Sequence, residues 1–462
     1  MTLISSISGI RGTIGGLPGD NLTPEDILRF SKAYARFIMN ISGNPNPLVV
    51  IGRDARVSGP MVQDIITGTL SAMGVSCICL GLTTTPTTEL AVTHYKAQGG
   101  IIITASHNPA NWNALKLLND SGEFLNKEQG QTLEMLMNND SSHYVPFSEL
   151  GTITHAGNFV DEHIRQILAM PLVNVDAIKK AEFRIVADVI NSAGAVSVEP
   201  LLRALGVEHI HILNGTADGH FAHNPEPLPA HLTELSETVV KNNAHLGISV
   251  DPDVDRLAFV MENGQMFGEE YTLVAVADYI LGHTPGNTVS NLSSTRALKV
   301  VTESYGQQYS SSAVGEVNVV QKMKESNAVI GGEGNGGVIY PELHYGRDAL
   351  AGIALFLSHL AQTGMTMSAL RHLYPRFVIA KHKISTEGSQ RNFESLKLAV
   401  KQNFAQCQFD ETDGLKLIFP DGNWVHLRTS NTEPIIRIYA ESTDEHESDL
   451  LANKVMDVII SL

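Results

Sequence analysis

The chain has 462 residues, more than one hydrophobic core serves, since cores stop growing beyond roughly 250–300 residues. Apolar residues make up 43% and charged residues 18%, a globular composition that excludes a disordered chain. The 49 acidic against 32 basic side chains give a formal charge of −17, which argues against a nucleic-acid partner. An anionic substrate would need its positive charges gathered locally.

In chain order, Thr23-Pro24-Glu25-Asp26 opens a helix to about Asn40, with proline at its first position and acids in its first turn. A strand over 48–52, a helix over 60–73, a strand over 75–80, a helix over 86–96 and a strand over 101–103 follow. This βαβαβ series predicts a mainly parallel sheet. Polar residues 138–142 mark a domain edge. The pattern restarts with a strand over 183–188, a helix over 193–205, a strand over 208–213, a helix over 232–242 and a strand over 246–250. It restarts again with helices over 270–281, 298–305 and 317–324 between strands over 288–291, 310–314 and 328–330. Beyond residue 376 come a strand over 377–384, a helix over 391–404, three short strands and a closing helix over 445–462, which is α+β rather than doubly wound. The expected class is therefore α/β, with three similar α/β domains of mainly parallel mixed sheets over 1–150, 151–256 and 257–372, and a C-terminal α+β domain over 373–462.

Cys77 and Cys79 alternate on one strand, and with Cys407 they are too few for a zinc site, as expected of a reducing compartment. The first twelve residues lack a charged start with an apolar core. The apolar stretch around 349–357 is too short to span a bilayer. A cytoplasmic protein without a membrane partner is expected.

The apolar run Gly100-Ile101-Ile102-Ile103 breaks into Thr104-Ala105-Ser106-His107-Asn108-Pro109. In open α/β sheets the ends of strands are where ligands bind, so Ser106 with His107 beside it is a candidate for hydroxyl chemistry; the same residues also suit a plain turn. Asp251-Pro252-Asp253-Val254-Asp255-Arg256 follows a strand, and its carboxylates alternate along what reads as an extended segment, so that they share one side. Three like charges need a cation, and oxygen ligands suit Mg²⁺ or Ca²⁺. The EF-hand pattern fails, because Arg256 occupies the position that requires glycine.

Gly332, Gly334 and Gly337 match G-x-G-x-x-G literally, yet the following Val338–Pro341 reads as extended and no acid lies in 351–357, so the dinucleotide reading fails. Glu333 and Asn335 fit better as groups hydrogen-bonding a polyhydroxylated ligand. Arg428-Thr429-Ser430-Asn431-Thr432-Glu433-Pro434 with Arg437 nearby offers guanidinium, hydroxyl and amide donors to a phosphate, or forms a capped hairpin turn. Arg11 sits in the glycine-bounded loop 8–13, and Arg53 and Arg56 end a strand, where structural ion pairing competes with function. His220 and His223 read as part of a solvated loop rather than as metal ligands.

Taken in order, these motifs make the whole chain resemble the α-D-phosphohexomutase superfamily. The resemblance implies domains arranged around a central cleft and the interconversion of hexose 6-phosphate and 1-phosphate through a phosphoserine and a hexose 1,6-bisphosphate. It implies Ser106 as the phosphoserine, with Asp251, Asp253, Asp255 and the phosphorylated Ser106 as Mg²⁺ ligands. Arg256 matches the arginine beside the metal loop, and Lys116 a lysine after the serine loop, a candidate acid/base; His107 and Arg11 would line the same centre. Glu333 matches the sugar-binding glutamate, accompanied by Asn335. Arg428, Ser430, Asn431 and Thr432, with Arg437, match the loop holding the non-reacting phosphate. Asn335 stands where many members have serine, and Pro252 where glycine is common. The implied partner is a phosphosugar, and the chain is expected to be a monomer or homodimer. Glucosamine phosphate is the favoured substrate, ahead of mannose or glucose phosphate; a Mg²⁺-dependent phosphatase and a non-catalytic binding protein are the competing classes.

Overall fold

The computed structural model of the chain describes residues 2–6, 9–139, 143–386, 392–430 and 435–461. It divides into two compact units, Met1–Thr272 with Asn335–Ser368, and Leu273–Gly334 with Ala369–Leu462.

In the first unit a seven-stranded sheet runs in the order Ile4–Ser6, Gly9–Thr13, Trp112–Leu118, Gly99–Ile103, Leu48–Arg53, Ser76–Leu82, Ile153–His155. The last four pair in parallel and the first three are antiparallel additions. Gly99–Ile103 is buried at every position. Gly99 admits Tyr34, whose hydroxyl donates to Gly100 O at 3.0 Å and Leu118 O at 2.6 Å. A Cβ on Gly99 would stand 2.3 Å from that hydroxyl. The amphipathic helix Pro24–Ser42 covers this face through Ile27, Phe30, Tyr34, Phe37 and Ile38.

The loop 8–13 expected from its glycines is instead a strand from Gly9 onward, pairing Arg11 with Ala114, because backbone pairing rather than apolar patterning holds it. Trp112–Leu118, unread in the sequence, supplies Lys116. A second sheet runs Leu257–Met261, Leu246–Val250, Arg184–Asp188, His209–Leu213, with the first pair antiparallel and the others parallel. The helix expected over 193–205 is a 3₁₀ turn, Ala193–Val196, followed by the helix Val198–Ala204. The apolar stretch near 349 is the core helix Ala349–Thr363, whose Phe356 stacks on Phe259 at 4.0 Å. No single helix among the described residues is long and apolar enough to cross a membrane.

In the second unit, Tyr309–Ser312, Asn287–Asn291 and Ala328–Glu333 pair in parallel. A five-stranded antiparallel sheet follows, in the order Val378–Ser385, Ile435–Ser442, Trp424–Thr429, Leu415–Ile418, Gln408–Asp410. Among the described residues four strands rather than the expected three follow the helix Phe393–Asn403, because the apolar alternation over 424–442 is carried by two long strands, Trp424–Thr429 and Ile435–Ser442. Leu396, Val400, Ala452, Val455 and Ile459 of its two helices pack on Leu415, Leu417, Val425, Leu427, Ile436, Ile438 and Ala440. The domain edge at 140–142, Ser8, Arg391, Asn431, Thr432 and Leu462 lie outside the described residues.

Candidate active site

Thr104–Pro109 leaves the buried strand Gly99–Ile103 as expected. Ser106 takes φ +47°, a left-handed conformation that costs a residue with a Cβ about 1–2 kcal/mol. Arg56 holds the loop in that shape. Its side chain is fully buried, and it donates to Ser106 O at 2.5 Å, Asn108 O at 2.7 Å, Pro109 O at 2.6 Å and Trp112 O at 2.9 Å. Asp54, equally buried, accepts from Arg56 Nε at 3.0 Å and from Thr104 Oγ1 at 2.6 Å.

The Ser106 hydroxyl, so aimed, donates to Asp251 Oδ2 at 2.6 Å. Asp251, Asp253 and Asp255 converge as expected, with ligand atoms within 4.8 Å of one another and every side chain buried. The cause differs from the sequence reading. The segment is a turn, not an extended strand: Val254 has φ +63°, and Asp251 Oδ1 accepts from the backbone N–H of both Asp255 and Arg256 at 3.1 Å. The loop is braced from outside, since Pro252 O accepts from Ser192 Oγ at 2.7 Å and Ala193 N at 3.2 Å.

Three cations face this acid cluster. Lys116 Nζ lies 2.6 Å from Asp253 Oδ2 and 3.2 Å from Asp255 Oδ2, and Arg347 Nη2 lies 2.7 Å from Asp255 Oδ2. Arg256 Nε stands 3.9 Å from Asp255 Oδ1. Burial, then the neighbouring carboxylates Asp253 and Asp255, push Asp251 well above the usual carboxylate range. Burial pushes Asp255 the same way, but Arg347, Lys116 and Arg256 outweigh it and hold Asp255 low. Burial also opposes the charge on Lys116, and Asp253 and Asp255 overcome it and raise its pKa. His107 Nδ1 is 3.5 Å from Ser106 Oγ. Arg256, burial, Arg347 and Arg11 together hold His107 well below its ordinary value, hence neutral.

Asp253 Oδ1 and Asp255 Oδ1 are buried acceptors with no hydrogen-bond donor among the described residues. A buried polar atom left unpaired costs stability. An oxygen-seeking divalent cation at the triad would satisfy both, so the residues present fit Mg²⁺.

In the second unit, Glu333 ends the strand Ala328–Glu333 rather than riding on the glycine loop. Its Oε1 accepts from Asn291 Nδ2 at 2.9 Å and Gly315 N at 3.1 Å. Arg428 and Arg437 are register partners on adjacent strands, and like charges directly opposite destabilise a sheet unless an anion joins them. Burial and Arg437 lower the Arg428 pKa against Asp413 and Glu333, so the carboxylates and guanidinium are brought together within one unit. Ser430 N donates to Ile435 O at 3.0 Å; Asn431 and Thr432 lie outside the described residues. Asn335 turns its Oδ1 back to Gly337 N at 3.2 Å, so that oxygen serves the loop itself.

His220 and His223 lie in a loop as expected, His220 exposed, but the His223 ring is anchored there: its Nε2 lies 2.9 Å from buried Asp188 Oδ2 and its Nδ1 2.8 Å from Asn224 O. Sequence reasoning missed Thr85 and Arg347. Thr85 Oγ1 donates to Asp253 Oδ2 at 2.6 Å, and the run Thr83-Thr84-Thr85 at a helix start was a usable signal. Arg347, in Tyr345-Gly346-Arg347-Asp348, gave none.

Four family profiles match the chain in sequence: phosphoglucomutase/phosphomannomutase alpha/beta/alpha domain I over residues 4–144, domain II over 161–264, domain III over 268–377, and the C-terminal domain over 389–458. The chain belongs to the phosphoglucomutase/phosphomannomutase family, the α-D-phosphohexomutases. It is 35% identical to a phosphoglucomutase/phosphomannomutase of Thermococcus kodakarensis, with 95% of each chain covered. It is 30% identical to a phosphoglucosamine/phosphogalactosamine mutase of Sulfurisphaera tokodaii, with 98% of each covered. Among solved structures, a phosphoglucomutase/phosphomannomutase family protein of Burkholderia thailandensis shares the fold at TM-score 0.82 and 23% identity, covering 98% of this chain and 96% of that one. An N-acetylphosphoglucosamine mutase of Aspergillus fumigatus, solved with GlcNAc-6P and magnesium, aligns at TM-score 0.57 and 12% identity over 94% and 97%. The protein is accordingly a phosphohexomutase, an isomerase.

Proposed function

We propose that the chain interconverts glucosamine 6-phosphate and glucosamine 1-phosphate through a phosphorylated Ser106 and a glucosamine 1,6-bisphosphate. The observation that carries this reading is the Ser106 hydroxyl 2.6 Å from Asp251 inside a buried carboxylate triad. The phosphosugar specificity is supported by the relative named phosphoglucosamine/phosphogalactosamine mutase. The relative named phosphoglucomutase/phosphomannomutase favours a second reading, in which glucose or mannose phosphate is the substrate.

In the proposed reaction the bond from phosphorus to the Ser106 oxygen breaks and a bond to the free sugar hydroxyl forms, giving the bisphosphate. Return of the other phosphoryl group to Ser106 completes the isomerisation. Such transfers are catalysed by positioning and by neutralising oxygen charge. Mg²⁺ held by Asp251, Asp253, Asp255 and the Ser106 group would supply charge neutralisation at the transferring phosphoryl. His107 lines the centre beside the Ser106 oxygen, 3.5 Å from it, and Lys116 is the candidate acid/base; proton transfer of this kind is worth about 10²–10⁴-fold in rate. Lys116, Arg256 and Arg11 add positive charge around the serine. Glu333 accepts hydrogen bonds from sugar hydroxyls, and Arg428, Ser430, Asn431, Thr432 and Arg437 hold the non-reacting phosphate.

Intact-mass measurement should find one phosphate on the protein and none on Ser106→Ala. Parallel assays with glucosamine, glucose and mannose 1-phosphates, activated by the matching bisphosphate, rank the substrates. Conversion to the 6-phosphate supports the mutase; release of inorganic phosphate alone would establish a phosphatase instead, and failure of the glucosamine ester to lead the ranking would overturn the specificity.

A further inference from the structure

Each carboxylate of the triad has one oxygen already engaged. Asp251 Oδ1 accepts two backbone N–H groups, Asp253 Oδ2 accepts from Lys116 Nζ and Thr85 Oγ1, and Asp255 Oδ2 accepts from Lys116 and Arg347. The atoms left toward the interior are Asp253 Oδ1 and Asp255 Oδ1, with Asp251 Oδ2 beside the serine. A capped carboxylate of this kind offers a cation one oxygen, not two. Mg²⁺ takes six ligands in near-ideal octahedral geometry, whereas Ca²⁺ takes six to eight and readily uses a carboxylate through both oxygens.

On the reading that the triad holds a divalent cation, we infer that Arg347 is a metal-selectivity residue: by occupying Asp255 Oδ2 it confines Asp255 to single-oxygen ligation and so disfavours Ca²⁺ against Mg²⁺. Arg347 is built into place. Its stem passes over Gly337, where a Cβ would stand 2.3 Å from Arg347 Cδ. Its neighbour Asp348 is fixed by accepting from Leu350 N at 2.9 Å and Ala351 N at 3.0 Å and by lying 2.8 Å from His163 Nε2. The guanidinium thus reaches Asp255 from a fixed backbone, with glycine required beneath it.

The test is competition of Mg²⁺ and Ca²⁺ against Mn²⁺, with bound Mn²⁺ read by electron paramagnetic resonance, on the dephosphorylated full chain. The two ions carry equal charge, so loss of the arginine's charge alters both affinities alike and cancels in their ratio. In Arg347→Met the affinity for Ca²⁺ relative to Mg²⁺ should rise about tenfold or more, as Asp255 Oδ2 loses its nearer donor and keeps only Lys116 Nζ at 3.2 Å. Arg347→Lys, which keeps a donor, should recover part of the discrimination. Gly337→Ala displaces the arginine without removing it and should shift the ratio in the same direction. An unchanged ratio in Arg347→Met and Gly337→Ala overturns the inference and leaves the metal site standing. Absence of Mn²⁺ binding to the unsubstituted protein would instead overturn the metal reading itself.

Discussion

Arg56 is the most consequential single contact behind the serine. Replacing it with methionine keeps the length of the stem but removes four bonds to the loop 106–112 and the ion pair with Asp54. Both partners of that pair are fully buried, and breaking a buried pair by removing one partner costs about 3–5 kcal/mol, because the other charge is stranded. Hydrogen bonds to charged groups contribute about 1.5–3 kcal/mol each but do not add within one network, so the pair figure is the appropriate estimate for the whole. Burial already raises Asp54 against the pull of Arg56, and without Arg56 it should take up a proton, which softens the loss. A chain of several domains need not unfold in one step, so the loss is best read locally. Hydrogen exchange of peptides spanning 104–118 reports the opening free energy there. At about 1.4 kcal/mol per tenfold, protection should fall by roughly 10²–10³·⁵, and phosphate on Ser106 should disappear with it. Asp54→Asn combined with Arg56→Met should regain part of the protection, since no buried charge is then left alone. Wild-type protection in Arg56→Met would refute the claim that this guanidinium shapes the loop.

His344 lies between Asp348 Oδ2 at 3.2 Å and Glu89 Oε2 at 3.3 Å; burial opposes its charge, yet the two carboxylates raise its pKa to about 10. A raised folded value makes its contribution to stability complete below about pH 6.5 and lost as pH rises toward about 10, so thermal unfolding across that window should show a decline that His344→Gln flattens. Gly336 has φ +84°, and a Cβ there would sit 2.2 Å from Leu257 O. Gly336→Ala should cost at least about 1–3 kcal/mol from backbone strain alone, measurable as a fall in unfolding temperature; an unchanged temperature would contradict the close approach of that loop to Leu257.

The buried parallel strands were legible because runs such as Val49-Val50-Ile51 and Ile101-Ile102-Ile103 leave few alternatives. Gly9–Thr13 was not, since its one aliphatic residue, Ile10, sits among glycines, arginine and threonine, and only its pairing with Trp112–Leu118 makes it a strand. The same divide runs through the site. Ser106 and the three aspartates carry their chemistry in residue type and immediate spacing. Thr85, Arg56 and Arg347 acquire theirs from partners 168, 50 and 92 positions away, and a guanidinium looks the same in sequence whether it caps a carboxylate or faces water. The triad shows how a correct residue set can rest on a wrong local picture, because the turn at Val254 rather than strand alternation brings the acids together.

Charge explains why these pieces belong to one site in so acidic a chain. Asp251, Asp253 and Asp255 face Lys116, Arg256 and Arg347, so each acid is matched by a base before any ligand arrives. A phosphate on Ser106 brings about −1.5 to −2 next to Asp251, and a divalent cation brings the compensating +2. The phosphate alone would crowd a carboxylate, and a cation held by the triad relieves that repulsion. Unit charges 4 Å apart interact by about 4 kcal/mol at the effective dielectric of a partly solvated protein site, enough to couple the two occupancies strongly. On the proposed reaction, the metal is therefore held more tightly while Ser106 carries the phosphoryl group, and the three basic residues balance the carboxylates while that group is on the sugar.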